Sequence, residues 1–324
     1  MMFIDNRWYV FICALFALVF SIYLAILPID SFIDRDNYLS FASTPELFFF
    51  HRLNDGYISF VFNEPLWAIT NIALRTIFDT ENTLRVIIFL SSFSTFYIVL
   101  KNIPQEYFFL GLLFLLLPQV LKNNVIQLRQ GFAIALFLWG YFSKSNKIRL
   151  LFFVSAALVH SSFIIIIPCL FFITLLSKYN FSNGIKGFLF TAISLSIGVG
   201  ALSMASVLGA RQAEGYENYT SNASGLGFIF WGCFLMVYIL QGNTFLKRNV
   251  ASLFFMILYL STYFFLPVTA RIFESVLIII LLSSIELKSW NKIYFYFLYV
   301  FYFIFTWVDR LFLPGFGWDI INYQ

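Results

Sequence analysis

The chain has 324 residues, 61% of them hydrophobic, 22% aromatic and 11% charged, with a formal net charge of +4. A soluble domain is nearer 45–50% apolar and about 25% charged, so 20 basic and 16 acidic side chains over this length exclude a water-soluble fold, a disordered chain, a collagen and a coiled coil. What remains is an all-α polytopic integral membrane protein; at about 20 residues per span, residues 1–324 hold about ten to twelve transmembrane or half-spanning helices in a single transmembrane domain.

Trp8 to Pro28 is the first apolar stretch, and no A-x-A-like cleavage site follows it, which predicts a retained anchoring helix. After a polar segment, apolar runs recur at 65–78, 84–100, 105–121, 129–143, 148–159, 160–176, 186–208, 225–241, 250–268, 271–287 and 293–310. From residue 130 onward, Lys144, Lys147, Lys178, Lys186, Lys247, Lys288 and Lys292 occupy four short loops after alternate runs, which reads as the cytoplasmic side. Arg129, Arg211, Arg271 and Arg310 lie at the opposite ends, so arginine gathers on the outer face. This sidedness requires Ile148 to Leu176 to be two short helices turning near His160, which brings His160 to the outer side. Between the outer segment 29–64 and Arg129 an even number of crossings is needed, yet three runs are present. One is therefore re-entrant or interfacial; Glu64 to Phe78 fits best, being short, opening with Glu-Pro and carrying Arg75.

Residues 29–64 form the largest outer loop, with six acids (Asp30, Asp34, Asp36, Glu46, Asp55, Glu64), Arg35, Arg52 and the run RDNY that ends at Tyr38. The second outer loop, 209–224, carries Arg211, Tyr216 and Tyr219. Rings interspersed with carboxylates and amides suit a sugar-binding surface, because pyranose C–H faces stack on rings while hydroxyls bond to polar groups. An interfacial aromatic belt is the plainer reading of the same residues. Three cysteines in apolar runs and two histidines form no metal motif, and no phosphate-binding glycine loop is present. No metal, cofactor or nucleic-acid partner is expected.

Ionisable groups in or beside apolar helices are expensive and by default functional candidates. Arg129 and Gln130 open IQLRQGFAIALFLWG, with Gly140 completing an R-x10-G spacing. His160, followed by Ser161, stands alone in ALVHSSFIIIIP; Arg271 and Glu274 share a helix face at i, i+3; Glu64 precedes Pro65. Each has a structural alternative: a self-neutralising pair for Arg271 and Glu274, a hydrogen-bonded core residue for His160, snorkelling for Arg129. Together the arginines point to phosphate, since a guanidinium is permanently charged and bonds phosphate oxygens two at a time. Two or three suit a pyrophosphate, and at a bacterial outer leaflet the abundant anchored pyrophosphates carry polyprenyl-linked sugars.

The order D-R-D-N-Y, N-E-P-L-W, I-Q-L-R-Q-G-F-A-I-A, K-S-N-K, A-A-L-V-H-S-S-F-I-I and T-A-R-I-F-E, over about residues 30 to 280, resembles the EpsG-like branch of the Wzy polymerases. The resemblance implies a metal-independent, inverting membrane glycosyltransferase of the bacterial inner membrane, which makes O-antigen, capsule or exopolysaccharide at its periplasmic face. The growing glycan on undecaprenyl pyrophosphate is moved as a block to the non-reducing end of a new lipid-linked unit. The partners implied are those lipid-linked glycans, membrane lipid and a chain-length regulator of the polysaccharide co-polymerase kind. On that reading Arg129, Arg211 and Arg271 hold the pyrophosphate. His160 ranks first as proton acceptor, followed by Glu64 or Asp36, while Gln130, Asp34, Tyr38, Ser161, Tyr216, Tyr219 and Glu274 line the sugar site. An O-antigen ligase would need a larger late outer loop than the roughly 15 residues of 209–224. A lipid-linked oligosaccharide flippase should show an internal repeat, and none is visible.

Overall fold

The computed structural model describes residues 6–179, 181–207 and 224–319. Among them the chain is helical, with an isolated antiparallel bridge between Phe32 and Asp319 in place of any strand. It divides into two compact units, one of residues 1–163 and 306–324, the other of 164–305. The predicted loop calls of Arg211, Tyr216 and Tyr219 fall outside the described residues.

The first unit opens with α1 (Asn6–Ile26). Residues 29–64 then fold into three short helices, α2 (Arg35–Ser43), α3 (Pro45–Asn54) and α4 (Tyr57–Phe62), and α5 spans Pro65–Arg75. At 1.5 Å per residue α5 is roughly 16 Å long, about half of a hydrocarbon core. Next come α6 (Thr80–Asn102), α7 (Phe108–Leu115), α8 (Pro118–Val125), α9 (Leu128–Tyr141) and α10 (Asn146–Val159). Asp79 caps α6 by accepting the Asn82 N–H at 2.7 Å, satisfying one orphan donor of its first turn. The 105–121 run, read as one segment, is instead broken at Leu117, and the two pieces are bent by 67°. Pro118, which has no N–H to donate, begins the second piece.

Packing in this unit is centred on α6, which lies between α1 and α9, with α10 against α9. Two glycines permit it. A Cβ on Gly131 would lie 2.0 Å from the Asn123 carbonyl oxygen, so only glycine lets the end of α8 approach α9 there. A Cβ on Gly140 would lie 2.7 Å from the Phe153 ring, so the glycine of the R-x10-G spacing serves helix packing.

Arg35 is fully buried and, among the described residues, forms no salt bridge. Its Nε donates to the Val125 carbonyl at 2.7 Å, its Nη1 to the Pro28 carbonyl at 2.9 Å, and its guanidinium lies 4.5 Å from the Phe32 ring centroid. Burial, with Arg85 adding to it, pushes its pKa down to about 10. Beside this tie, the Ile33 N–H donates to the Trp318 carbonyl at 2.9 Å.

The second unit takes in most of α11 (Ser162–Ser177), then α12 (Asn183–Val207), α13 (Leu226–Leu240), α14 (Asn243–Arg248), α15 (Val250–Thr262), α16 (Thr269–Ser283) and most of α17 (Ser289–Leu311). Here α15 packs against α12, α13 and α16. Its core is aromatic: Trp231, Tyr238, Phe254, Phe255, Phe273 and Tyr299 are buried, and Tyr259 stacks on Phe273 with centroids 4.2 Å apart. The Tyr238 hydroxyl donates to the Ile280 carbonyl at 2.6 Å and accepts from Ser283 at 3.0 Å, so this buried O–H is satisfied.

By length and composition, three helices among the described residues can cross a bilayer: Asn6–Ile26, Thr80–Asn102 and Asn183–Ala201. The bent pair Gln105–Leu115 and Pro118–Val125 makes a fourth if counted as one broken span. Ser162–Ser177, Leu226–Leu240 and Val250–Thr262 are apolar but shorter. The expected ten to twelve segments thus appear largely as short helices, and one of the runs, 105–121, is broken before Pro118. The architecture is that of an all-α polytopic membrane protein.

Candidate functional site

The first unit gathers charged and polar side chains from five separate stretches at one place: Tyr38 from α2, Arg52 from α3, Glu64 ahead of α5, Arg129 from α9, and His160 with Ser161 at the break between α10 and α11. The hairpin reading placed a turn at this position, and the helices do stop there, α10 at Val159 and α11 starting at Ser162.

Glu64 lies at the centre. Pro65 starts α5, and a residue before proline is kept out of the right-handed helical region. Glu64 adopts φ 61° and ψ 53°, a left-handed conformation that costs an L-residue about 1–2 kcal/mol. The turn aims its carboxylate inward. Oε2 pairs with Arg129 Nη1 at 2.5 Å, the Glu64 side chain being 3% exposed and the Arg129 side chain 23%. Oε1 accepts the Ser161 backbone N–H at 3.3 Å. Arg52, itself buried, donates to the carbonyl of Asn63, the residue before Glu64, and lies 5.5 Å from the Phe41 ring centroid.

Burial by itself would raise the Glu64 pKa; the nearby Arg129 and His160, the Ser161 N–H and Arg52 together outweigh it and hold the carboxyl below the usual carboxylate range. Glu64 is thus an anion at neutral pH. The Arg129 guanidinium also lies 5.7 Å from the centroid of the buried Tyr38 ring, which meets Trp67 edge-on at 5.7 Å. Arg129 is therefore clasped by a carboxylate and a ring, with its side chain only part-buried.

His160 is half-buried. Its Nδ1 lies 3.2 Å from the Ser162 backbone N–H, which donates to it, and 2.9 Å from the Ser162 hydroxyl.

Of the residues singled out from sequence, Tyr38, Glu64, Arg129, His160 and Ser161 meet here. Gln130 is buried on α9. Asp34 and Asp36 are exposed, Asp36 on the side of α2 away from the buried Tyr38. Arg271, exposed, and Glu274, buried, belong to α16 in the second unit. Sequence reasoning left out Arg52, which α3 buries although most of its apolar residues are not buried, so no apolar periodicity pointed to it. Among the described residues no group of three or more His, Cys, Asp or Glu is placed to hold a metal ion.

A family model described as the EpsG family matches residues 8–324. No curated protein and no solved structure matches the chain.

Proposed function

The chain belongs to the EpsG family, and from that premise we propose that it polymerises undecaprenyl-pyrophosphate-linked oligosaccharide units into O-antigen, capsule or exopolysaccharide. It works in the bacterial inner membrane with its site facing the periplasm. The observation that carries this reading is the buried Glu64–Arg129 pair, with Tyr38, Arg52, His160 and Ser161 around it. A membrane protein tolerates such a cluster of ionisable groups at considerable cost, and an arginine held by a fixed carboxylate is pre-aimed for a second anion.

In the transfer, a hydroxyl oxygen at the non-reducing end of the new unit bonds to the anomeric carbon of the growing glycan. The bond from that carbon to the pyrophosphate breaks with its electron pair on the phosphate oxygen, and the hydroxyl proton passes to an acceptor, for which His160, Glu64 and Asp36 are the candidates. Attack opposite the leaving group inverts the anomeric configuration. Arg129 stabilises the charge growing on the pyrophosphate, and no metal is required. A chain-length regulator is the expected protein partner.

The test is polymerisation by the purified protein in lipid nanodiscs, supplied with single lipid-linked repeat units extracted from a polymerase-deficient strain and with EDTA present. The expected result is a ladder of products from the wild type and none from Arg129→Ala, although that variant inserts normally. With lipid A added, transfer to it without elongation would make the protein a ligase; a full ladder from Arg129→Ala would remove Arg129 from the chemistry.

A further inference from the structure

We infer that Arg52 is a positioning residue for the transfer: it holds the Asn63 carbonyl, and with it the turn that carries the Glu64 carboxylate onto Arg129. This rests on the polymerase reading and deepens it.

The peptide between Asn63 and Glu64 is the lever. Glu64 has φ 61° and ψ 53°, a left-handed conformation that an L-residue keeps when its surroundings hold it there. Rotation about φ of Glu64 turns its side chain relative to the Asn63 carbonyl, so fixing that carbonyl helps to fix the direction of the carboxylate. Arg52 Nη1 donates to it from α3. Beyond the turn, the Trp67 N–H donates to the Glu64 carbonyl at 3.1 Å, within the first turn of α5. Asn63 is anchored on its other side as well, its backbone N–H and side-chain amide donating to the Ser59 carbonyl at 3.0 Å and 2.9 Å.

Arg52 is itself braced. It is buried, its guanidinium lies 5.5 Å from the Phe41 ring centroid, and Phe41 stacks on Phe48 with centroids 4.7 Å apart. A planar guanidinium can lie against a ring and donate to a carbonyl at the same time. The contacts therefore run from Phe41 through Arg52, the Asn63 carbonyl and Glu64 to the part-buried Arg129.

The charge of Arg52 acts in the same direction. Around the Glu64 carboxylate stand Arg129 from α9, His160 and the Ser161 N–H from the break between α10 and α11, Arg52 from α3 and Tyr38 from α2. Burial opposes ionisation of Glu64, while Arg129, His160, the Ser161 N–H and Arg52 favour it. Removing the Arg52 charge therefore raises the pH below which Arg129 loses its anionic partner.

The experiment is the rate of ladder formation in lipid nanodiscs across pH, for the wild type, Arg52→Met, Glu64→Gln and Arg52→Met/Glu64→Gln. Arg52→Met is expected to slow extension roughly tenfold to a hundredfold, the scale of a misplaced reacting geometry, and to move the acid limb of the profile to higher pH. In the Glu64→Gln background it should cost nothing further. A wild-type rate from Arg52→Met, an unmoved acid limb, or an equal loss in both backgrounds overturns the inference and leaves the polymerase reading standing. Where Glu64→Gln is too slow to follow, the same cycle is read in thermal stability, and additive losses overturn the inference. Where Arg52→Met does not insert, Phe41→Leu, which keeps the arginine and removes its ring, takes its place: a smaller loss that vanishes with Glu64→Gln is expected, and one that persists overturns the inference. Absence of a ladder from the wild type would overturn both.

Discussion

The two units solve the problem of filling a protein interior in opposite ways. Among the described residues, the first unit buries Arg35, Arg52 and Glu64, whereas Glu274 is the one charged residue buried in the second, whose interior is otherwise rings, aliphatics and hydroxyls. Rings cost nothing to bury and return packing energy; charges cost several kcal/mol each and return it only through matched partners. The first unit thus carries the costly groups with their matched partners, while the second is filled at little cost.

The sharpest way to break that contrast is Glu64→Ala, which strands Arg129 beside Tyr38 without its counter-charge. Removing one member of a buried pair costs about 3–5 kcal/mol, and the partial exposure of Arg129 places this pair at the lower end, about 3 kcal/mol, read as a loss of thermal stability in detergent. Glu64→Ala/Arg129→Ala should recover part of it. The same pair gives a pH signature: the folded-state pKa of Glu64 is lowered, so its contribution is complete above the unfolded value of about 4.3 and is lost as pH falls below that. Thermal stability of Glu64→Gln should lack this acid-side decline.

Next in size is Gly131→Ala. The added carbon would sit 2.0 Å from the Asn123 backbone oxygen, forcing α8 from α9 at the position that carries Arg129. Overpacking of this kind costs about 1–3 kcal/mol, and polymer length should fall with stability. The smallest effect belongs to the second unit. Tyr238→Phe removes the 2.6 Å bond to Ile280 and should cost about 1 kcal/mol while leaving polymer length unchanged. A shortened polymer in that variant would show that the packing of the second unit bears on polymerisation.

Much of the helical layout is legible from hydropathy. The run 84–100 lies inside Thr80–Asn102, 129–143 overlaps Leu128–Tyr141, and 160–176 overlaps Ser162–Ser177. Hydropathy could not distinguish a span from two half-length helices, because Leu116, Leu117 and Pro118 are a continuous apolar run to a sliding window and a 67° bend to the backbone. Within the site, Arg129, His160 and Glu64 stood out because each is a charged or polar residue in apolar surroundings. Arg52 did not, since residues 29–64 are rich in acids and read as a loop, and nothing in that composition says that its arginines turn inward. The partner of Arg129 was equally hidden: 65 residues separate it from Glu64, and a charge pair at that distance along the chain leaves no periodic trace.

The tie made by Arg35 has a consequence for the order of assembly. Its acceptor, the Val125 carbonyl, lies 90 residues further along the chain, which at 5–20 residues per second is about 5 to 18 s of synthesis. Until then this guanidinium has to stay hydrated, so the opening third cannot settle while the ribosome is still making the corner that receives it. The tie is therefore a late product of biogenesis, a latch whose two halves are born far apart in time.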